Sequence, residues 1–147
     1  MRIVIDTNIA FSAILNTNSK LARIIVQPKN RLNFYSTEQL LAEIEQHKNK
    51  LKALSDYSDV ELERIINLIT SKIRFINVRL ISKELYLHAE SLTNDIDIDD
   101  TEFVALTEQI KGKLWSGDKE LKNGLIKKGW NKFVTTEELF QKTVKRR

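Results

Sequence analysis

The chain has 147 residues, enough for one self-supporting core, and its 41% apolar and 30% charged residues exclude a disordered or fibrous chain. It has no cysteine and only two histidines, His47 and His88, which excludes a disulfide framework, a thiolate zinc site and a cysteine nucleophile and leaves little for a histidine-rich metal site. The net charge of +4 points modestly toward a polyanionic partner, and the lack of a long apolar amino-terminal stretch or of any ~18–20-residue apolar run predicts a cytoplasmic chain without membrane contact.

In chain order, Arg2–Ile5 reads as a short apolar strand. A long loop carrying Lys20 and Arg23 is expected after it. Leu32–Ser36 reads as a second strand, and Ser36 with Gln39 has the spacing of a capping box opening a helix. Leu40, Leu41, Ile44 and Leu51 form that helix's apolar stripe. A further helix follows Asp59, with Leu62, Ile65, Ile66 and Ile69 inward. Ile73–Val78 is a third strand. Leu85, Leu87 and Leu92 mark another helix. Asp99 with Glu102 repeats the capping-box pattern ahead of Phe103, Val104, Leu106 and Ile110. Lys113–Ser116 and Lys132–Thr135 are the fourth and fifth strands, with helices over Glu120–Lys127 and Thr136–Lys145. Trp115 and Trp130 are assigned to the core, His47 and His88 to the surface. Glycine and proline are too scarce for a linker, at four and one. Short strands alternating with helices predict a single α/β domain over 1–147, with a mostly parallel five-stranded sheet covered on both faces.

In such a sheet the working site lies at the carboxyl ends of the strands. Asp6, Thr7 and Asn8 follow the first strand; Ser116, Gly117 and Asp118 follow the fourth. Glu43 lies one turn beyond Gln39 on the same helical face. Asp100 stands at the start of the helix that runs through Phe103, Val104 and Leu106. Each acid alone has an ordinary explanation: Asp6 and Asp118 as helix caps, Glu43 as a solvated helix residue, Asp99 and Asp100 as charges favouring a helix amino terminus. Their convergence at one sheet edge is what points to a site. A carboxylate cluster without cysteine or histidine suits hard cations such as Mg²⁺ or Mn²⁺. The run Asp95-x-Asp97-x-Asp99 is not a calcium loop, because Asp100 stands where that loop needs glycine and Leu106 where it needs glutamate.

The opening Arg-Ile-Val-Ile-Asp6-Thr7-Asn8 resembles the signature of PIN-domain ribonucleases. Leu40-Leu41-Ala42-Glu43-Ile44, Asp100-Thr101-Glu102-Phe103-Val104-Ala105-Leu106 and Leu114-Trp115-Ser116-Gly117-Asp118-Lys119-Glu120-Leu121 follow in the same order, covering nearly the whole chain. The likeness extends to the toxins of toxin–antitoxin pairs. It implies Asp6, Glu43, Asp100 and Asp118 as the four metal-binding and catalytic acids. Within Asp95–Asp100 several acids compete for the third position, and Asp97 or Asp99 can share it. Asn8 and Ser116 are then the supporting polar residues. The resemblance further implies an RNA substrate, products with 5′-phosphate and 3′-hydroxyl ends, a cognate antitoxin and room for a homodimer. Lys119, directly after Asp118, is the leading candidate for a phosphate contact. Lys20, Arg23 and the tail Lys142, Lys145, Arg146 and Arg147 rank behind it. Rival readings are a catalytically silent PIN-like RNA-binding module, a DNA-directed 5′-nuclease and a receiver-like signalling domain. The last wants an aspartate after the third strand and a lysine after the fifth; Asn77-Val78 and Thr135-Thr136 stand there instead.

Overall fold

The computed structural model describes residues 1–27 and 31–143. In order these form β1 (Arg2–Ile5), α1 (Thr7–Leu15), α2 (Lys20–Val26), β2 (Asn33–Thr37), α3 (Glu38–Gln46), α4 (Lys48–Ser55), α5 (Asp59–Ser71), β3 (Ile73–Ile76), α6 (Lys83–Thr93), α7 (Thr101–Gln109), β4 (Lys113–Trp115), α8 (Lys119–Lys127), β5 (Phe133–Val134) and α9 (Thr136–Thr143). The five strands pair in parallel in the order β3-β2-β1-β4-β5. Parallel neighbours require crossovers, and right-handed crossovers put those made in opposite directions on opposite faces. The packing follows: α1 lies against α2, α4 and α5, whereas α7 lies across β1, β2 and β4 with α6 over it. Covered on both faces, β1 buries Ile3, Val4 and Ile5 completely. Helix α7, caught between the sheet and α6, buries six of its nine residues: Thr101 and then Phe103 through Thr107. Trp115 and Trp130 are core residues. No helix among the described residues is long and apolar enough to cross a membrane.

The strand order reverses direction at β1, between β2 and β4. That reversal opens a crevice at the carboxyl ends of β1 and β4, where the crossovers diverge. Ile5 pairs with Trp115, so Asp6 and the Ser116–Asp118 turn leave adjacent strands side by side.

Several local expectations are corrected. The stretch read as a long loop after β1 holds two helices. Asp6 caps α1 and Ser19 caps α2 through side-chain bonds to Ile9 N–H and Ala22 N–H, and Ile9, Ala10, Ala13, Ile14, Ala22, Ile24 and Ile25 bury one face. Ser36 opens no capping box. It lies within β2, and Thr37 precedes the helix without a side-chain cap. The helix carrying the Leu40–Leu51 stripe breaks at His47 into α3 and α4. The Asp99–Glu102 pattern is likewise no box, because Asp99 lies in a single 3-10 turn and α7 starts at Thr101. Reciprocal boxes form instead between Ser58 and Glu61 ahead of α5 and between Thr135 and Glu138 ahead of α9. Leu41, read as part of the apolar stripe, is exposed, and so is Leu87 on α6. Of the basic tail, Lys145, Arg146 and Arg147 lie outside the described residues, as does the end of the helix expected to reach Lys145.

Instead of capping a helix, the buried Ser36 hydroxyl donates to the carbonyl of Ile5 at 2.7 Å, tying the end of β2 to the end of β1 just before Asp6. Ser36→Ala removes that bond from a dry site and is expected to cost about 1–2 kcal/mol. Urea unfolding should show a lower midpoint with an unchanged slope.

Candidate metal centre

Six acids line one cavity of about 270 Å³ at the β1/β4 crevice: Asp6, Glu43, Asp97, Asp99, Asp100 and Asp118. Lys50 is the lone lysine or arginine lining it among the described residues. The acids arrive from four parts of the chain, each fixed by its own local bonds. Asp6 ends β1 and accepts Ile9 N–H on Oδ1 at 3.0 Å. Asp118 follows β4 and accepts Leu121 N–H on Oδ1 at 3.1 Å. Both therefore cap helices and line the cavity with the same carboxyl group, so the ordinary and the functional explanations coexist. Asp97 accepts Asp99 N–H at 3.0 Å, which closes the turn leading to Asp100. Asp100 precedes α7 with right-handed helical backbone angles and makes no side-chain cap bond.

Gln39, Glu43, His47 and Lys50 also line the cavity. Their spacing of four, four and three keeps them on one side of the α3–α4 path. Gln39 Nε2 donates to Glu43 Oε1 at 2.7 Å and to the Asp99 carbonyl at 2.9 Å, so one amide holds a carboxylate and the opposite wall together. His47 packs edge-on against Phe11, with ring centroids 5.9 Å apart. Of the residues singled out in the sequence, Asp6, Asn8, Glu43, Asp100 and Asp118 meet in this cavity. Ser116 stands behind it, hydrogen-bonded to the Asp6 side chain and accepting Asp118 N–H at 3.1 Å. Lys119 lines a neighbouring cavity instead. Thr7, Phe11, Gln39, His47 and Lys50 are additional lining residues. The regular spacing from Gln39 to Lys50 was a signal for three of them.

The electrostatics follow from crowding. Asp6 is 2% exposed. Burial lifts its pKa from 3.8 to about 6, the charges of Asp118 and Glu43 add to the rise, and the bonds from Ser116 and Ile9 oppose it. Asp100 rises further, to about 8, first through burial and then through the charges of Asp97, Asp6, Asp118 and Asp99. It lacks the hydrogen bonds that restrain Asp6. Carboxyl oxygens of Asp97, Asp100 and Asp118 lie within 4.8 Å of one another. Thr7 Oγ1 is buried with no hydrogen-bond partner among the described residues. An all-oxygen donor set in a confined, negatively charged pocket fits a hard divalent cation and fits zinc poorly.

The PIN domain family model matches residues 4–142. No curated protein matches the chain in sequence.

A carboxyl group whose folded pKa is raised favours folding at low pH, and that contribution is lost as pH climbs through the folded value. Without metal, Asp6 acts between about pH 4 and 6, and Asp100 continues to about pH 8. In chelator, wild type should therefore lose several degrees of Tm relative to Asp100→Asn between pH 6 and 8. Magnesium, binding only the folded form, should raise Tm at pH 8 in wild type and much less in an Asp6→Asn, Asp118→Asn double variant. Thermal melts across this pH range, with and without magnesium, check both.

Proposed function

Because the chain belongs to the PIN-domain family, we propose that it is a divalent-metal-dependent ribonuclease that hydrolyses RNA phosphodiester bonds internally. PIN domains are generally nucleases and typically use a divalent metal. The observation that carries the reading is the convergence of six acids on one cavity at the strand-end crevice, three of them with carboxyl oxygens within 4.8 Å of one another. In this reading Asp97, Asp100 and Asp118 hold a Mg²⁺ or Mn²⁺ ion together with Asp6, and Glu43 completes the acidic set. The third family position is then shared by Asp97 and Asp100. Bound there, the ion supplies positive charge to the phosphodiester and lowers the pKa of a water.

The remaining work falls to the chain. Ser116 and Ile9 N–H hold the Asp6 carboxyl still, and Gln39 holds Glu43. Such fixed orientation means little reorganisation is needed as the reaction proceeds. Asn8 offers an amide to orient a carboxylate or a water at the cavity wall. Lys50, on the same wall, offers a positive charge to an incoming phosphate. Attack of water on phosphorus with rupture of the P–O3′ bond leaves 5′-phosphate and 3′-hydroxyl ends. We place the activity in the cytoplasm, in a toxin restrained by a cognate antitoxin. The support for that setting is the resemblance of the strand-end motifs to such toxins.

Incubation with a mixed RNA pool and magnesium, followed by end sequencing, tests the reading. Wild type should cleave, and chelator should abolish cleavage. Asp6→Asn and Asp118→Asn should each lower the rate at least ~100-fold, as losing about 3 kcal/mol of transition-state stabilisation does. Folded protein without magnesium-dependent cleavage, or an Asp6→Asn variant as active as wild type, would overturn it.

A further inference from the structure

Asp118 is a wall shared by two cavities of opposite character. On one side lies the acidic cavity. On the other lies a cavity of about 190 Å³ along the carboxyl ends of β4 and β5, where Asp118 is the single acid and Lys119 and Lys122 are the cations. The two lysines stand three residues apart in the first turn of α8, on neighbouring positions of its surface. Lys20, Lys48, Lys52, Lys128 and Lys132 are all held by carboxylates, whereas Lys119 and Lys122 make no ion pair among the described residues. Neither ammonium group is within ion-pair distance of a carboxylate among the described residues, although Asp118 lines the same cavity.

Two more lining residues suit a nucleotide. Thr136 Oγ1 accepts Trp115 Nε1–H at 2.9 Å, which leaves its own hydroxyl proton to donate. Phe133 is half-buried and braced edge-on by Trp130 with centroids 5.2 Å apart, so an aromatic ring lines the cavity in a fixed orientation. A cavity with two uncommitted ammonium groups, a hydroxyl donor and an aromatic wall matches a backbone phosphate with its base. Its separation from the carboxylates by a single side chain places it next to the reacting bond.

We infer that this second cavity is a subsite for the backbone phosphate of the nucleotide adjacent to the bond that is cut, in a single-stranded RNA. The inference rests on the ribonuclease reading above. It also addresses a difficulty of that reading, since six acids repel the substrate they are to act on. Lysines one side chain away hold the strand against that repulsion, and they act on binding more than on the chemical step.

The experiment measures binding of two unrelated fluorescent single-stranded RNA oligonucleotides across a salt series, with magnesium, in an Asp6→Asn background that does not cut. Adding Lys119→Ala and Lys122→Ala should weaken both RNAs about equally, by about 10-fold near 0.1 M salt, and make the log–log salt slope shallower by about 0.7, the value for one phosphate on a single strand. Adding Lys83→Ala and Lys127→Ala instead removes the same charge elsewhere and should change affinity less than about 2-fold. In the cleaving protein, the Lys119/Lys122 pair should raise KM and leave kcat within about 2-fold. Unchanged affinity and slope in the Lys119/Lys122 variant overturn the subsite while leaving the ribonuclease reading intact. An equal loss in the Lys83/Lys127 control overturns it too, because the effect is then one of net charge. No binding by the Asp6→Asn parent, together with no cleavage by wild type, overturns both.

Discussion

Six carboxyl groups and one lysine share the cavity where β1 and β4 end, and holding that much like charge together is the constraint around which the rest of the molecule is arranged. Left to themselves such groups would separate or take up protons. Asp6 and Asp118 stay because each is bonded to a backbone N–H at the start of a helix. Asp100 has no such anchor and shows the larger rise in pKa. A hydrogen-bonded acid and an unrestrained one thus sit side by side: two hydrogen bonds hold the rise at Asp6 down, while four neighbouring carboxylates add to the effect of burial at Asp100.

The supports continue outward. Ser116 touches the side chain of Asp6 and the backbone of Asp118, so one hydroxyl couples the ends of two strands. Ser36 ties β2 to β1 one residue earlier. Gln39 links Glu43 on α3 to the turn that carries Asp99. Behind them α7 is buried along nearly its whole length, and the Thr93–Thr101 hydroxyl pair at 2.6 Å fixes the start of that helix beneath α6. A charged cavity of this kind needs a rigid frame, because a flexible one would relax the repulsion by moving the acids apart. Stability given up at the site is made good by the apolar contacts of the sheet and its two helical layers.

Charge is also sorted across the surface of the strand-end face. The acids gather on one side of Asp118 and two lysines without ion pairs on the other, while Lys48 and Lys52 line a different cavity with their partners Glu63 and Asp59. The overall excess of positive charge says little by itself. Its placement gives a polyanion a way to approach an acidic centre.

The alternation of short β-branched strands with helical stripes was enough to read a parallel α/β sheet from the sequence, because period and strand length are local properties. Asp6, Asp100 and Asp118 were legible because each follows or opens an element whose end is marked by a change in pattern, and Glu43, inside α3, because it stands one turn beyond Gln39 on the same helical face. The helix after Asp6 was missed although Asp6 and Ser19 cap helices there: a stripe rich in alanine and isoleucine without charged partners reads weakly in either period. The Ser36–Gln39 spacing looked like a cap, but pairing of β2 with β1 and β3 drew Ser36 into the sheet, and no local signal reports that competition. Which of Asp97, Asp99 and Asp100 would approach Asp118 depended on the turn before α7 and its docking against the sheet. The place of Lys119 on the far side of Asp118, with Lys122 beside it, was likewise decided in three dimensions. Sequence sets the order and type of the elements; distances between residues tens of positions apart are set only when the sheet is assembled and its helices are packed.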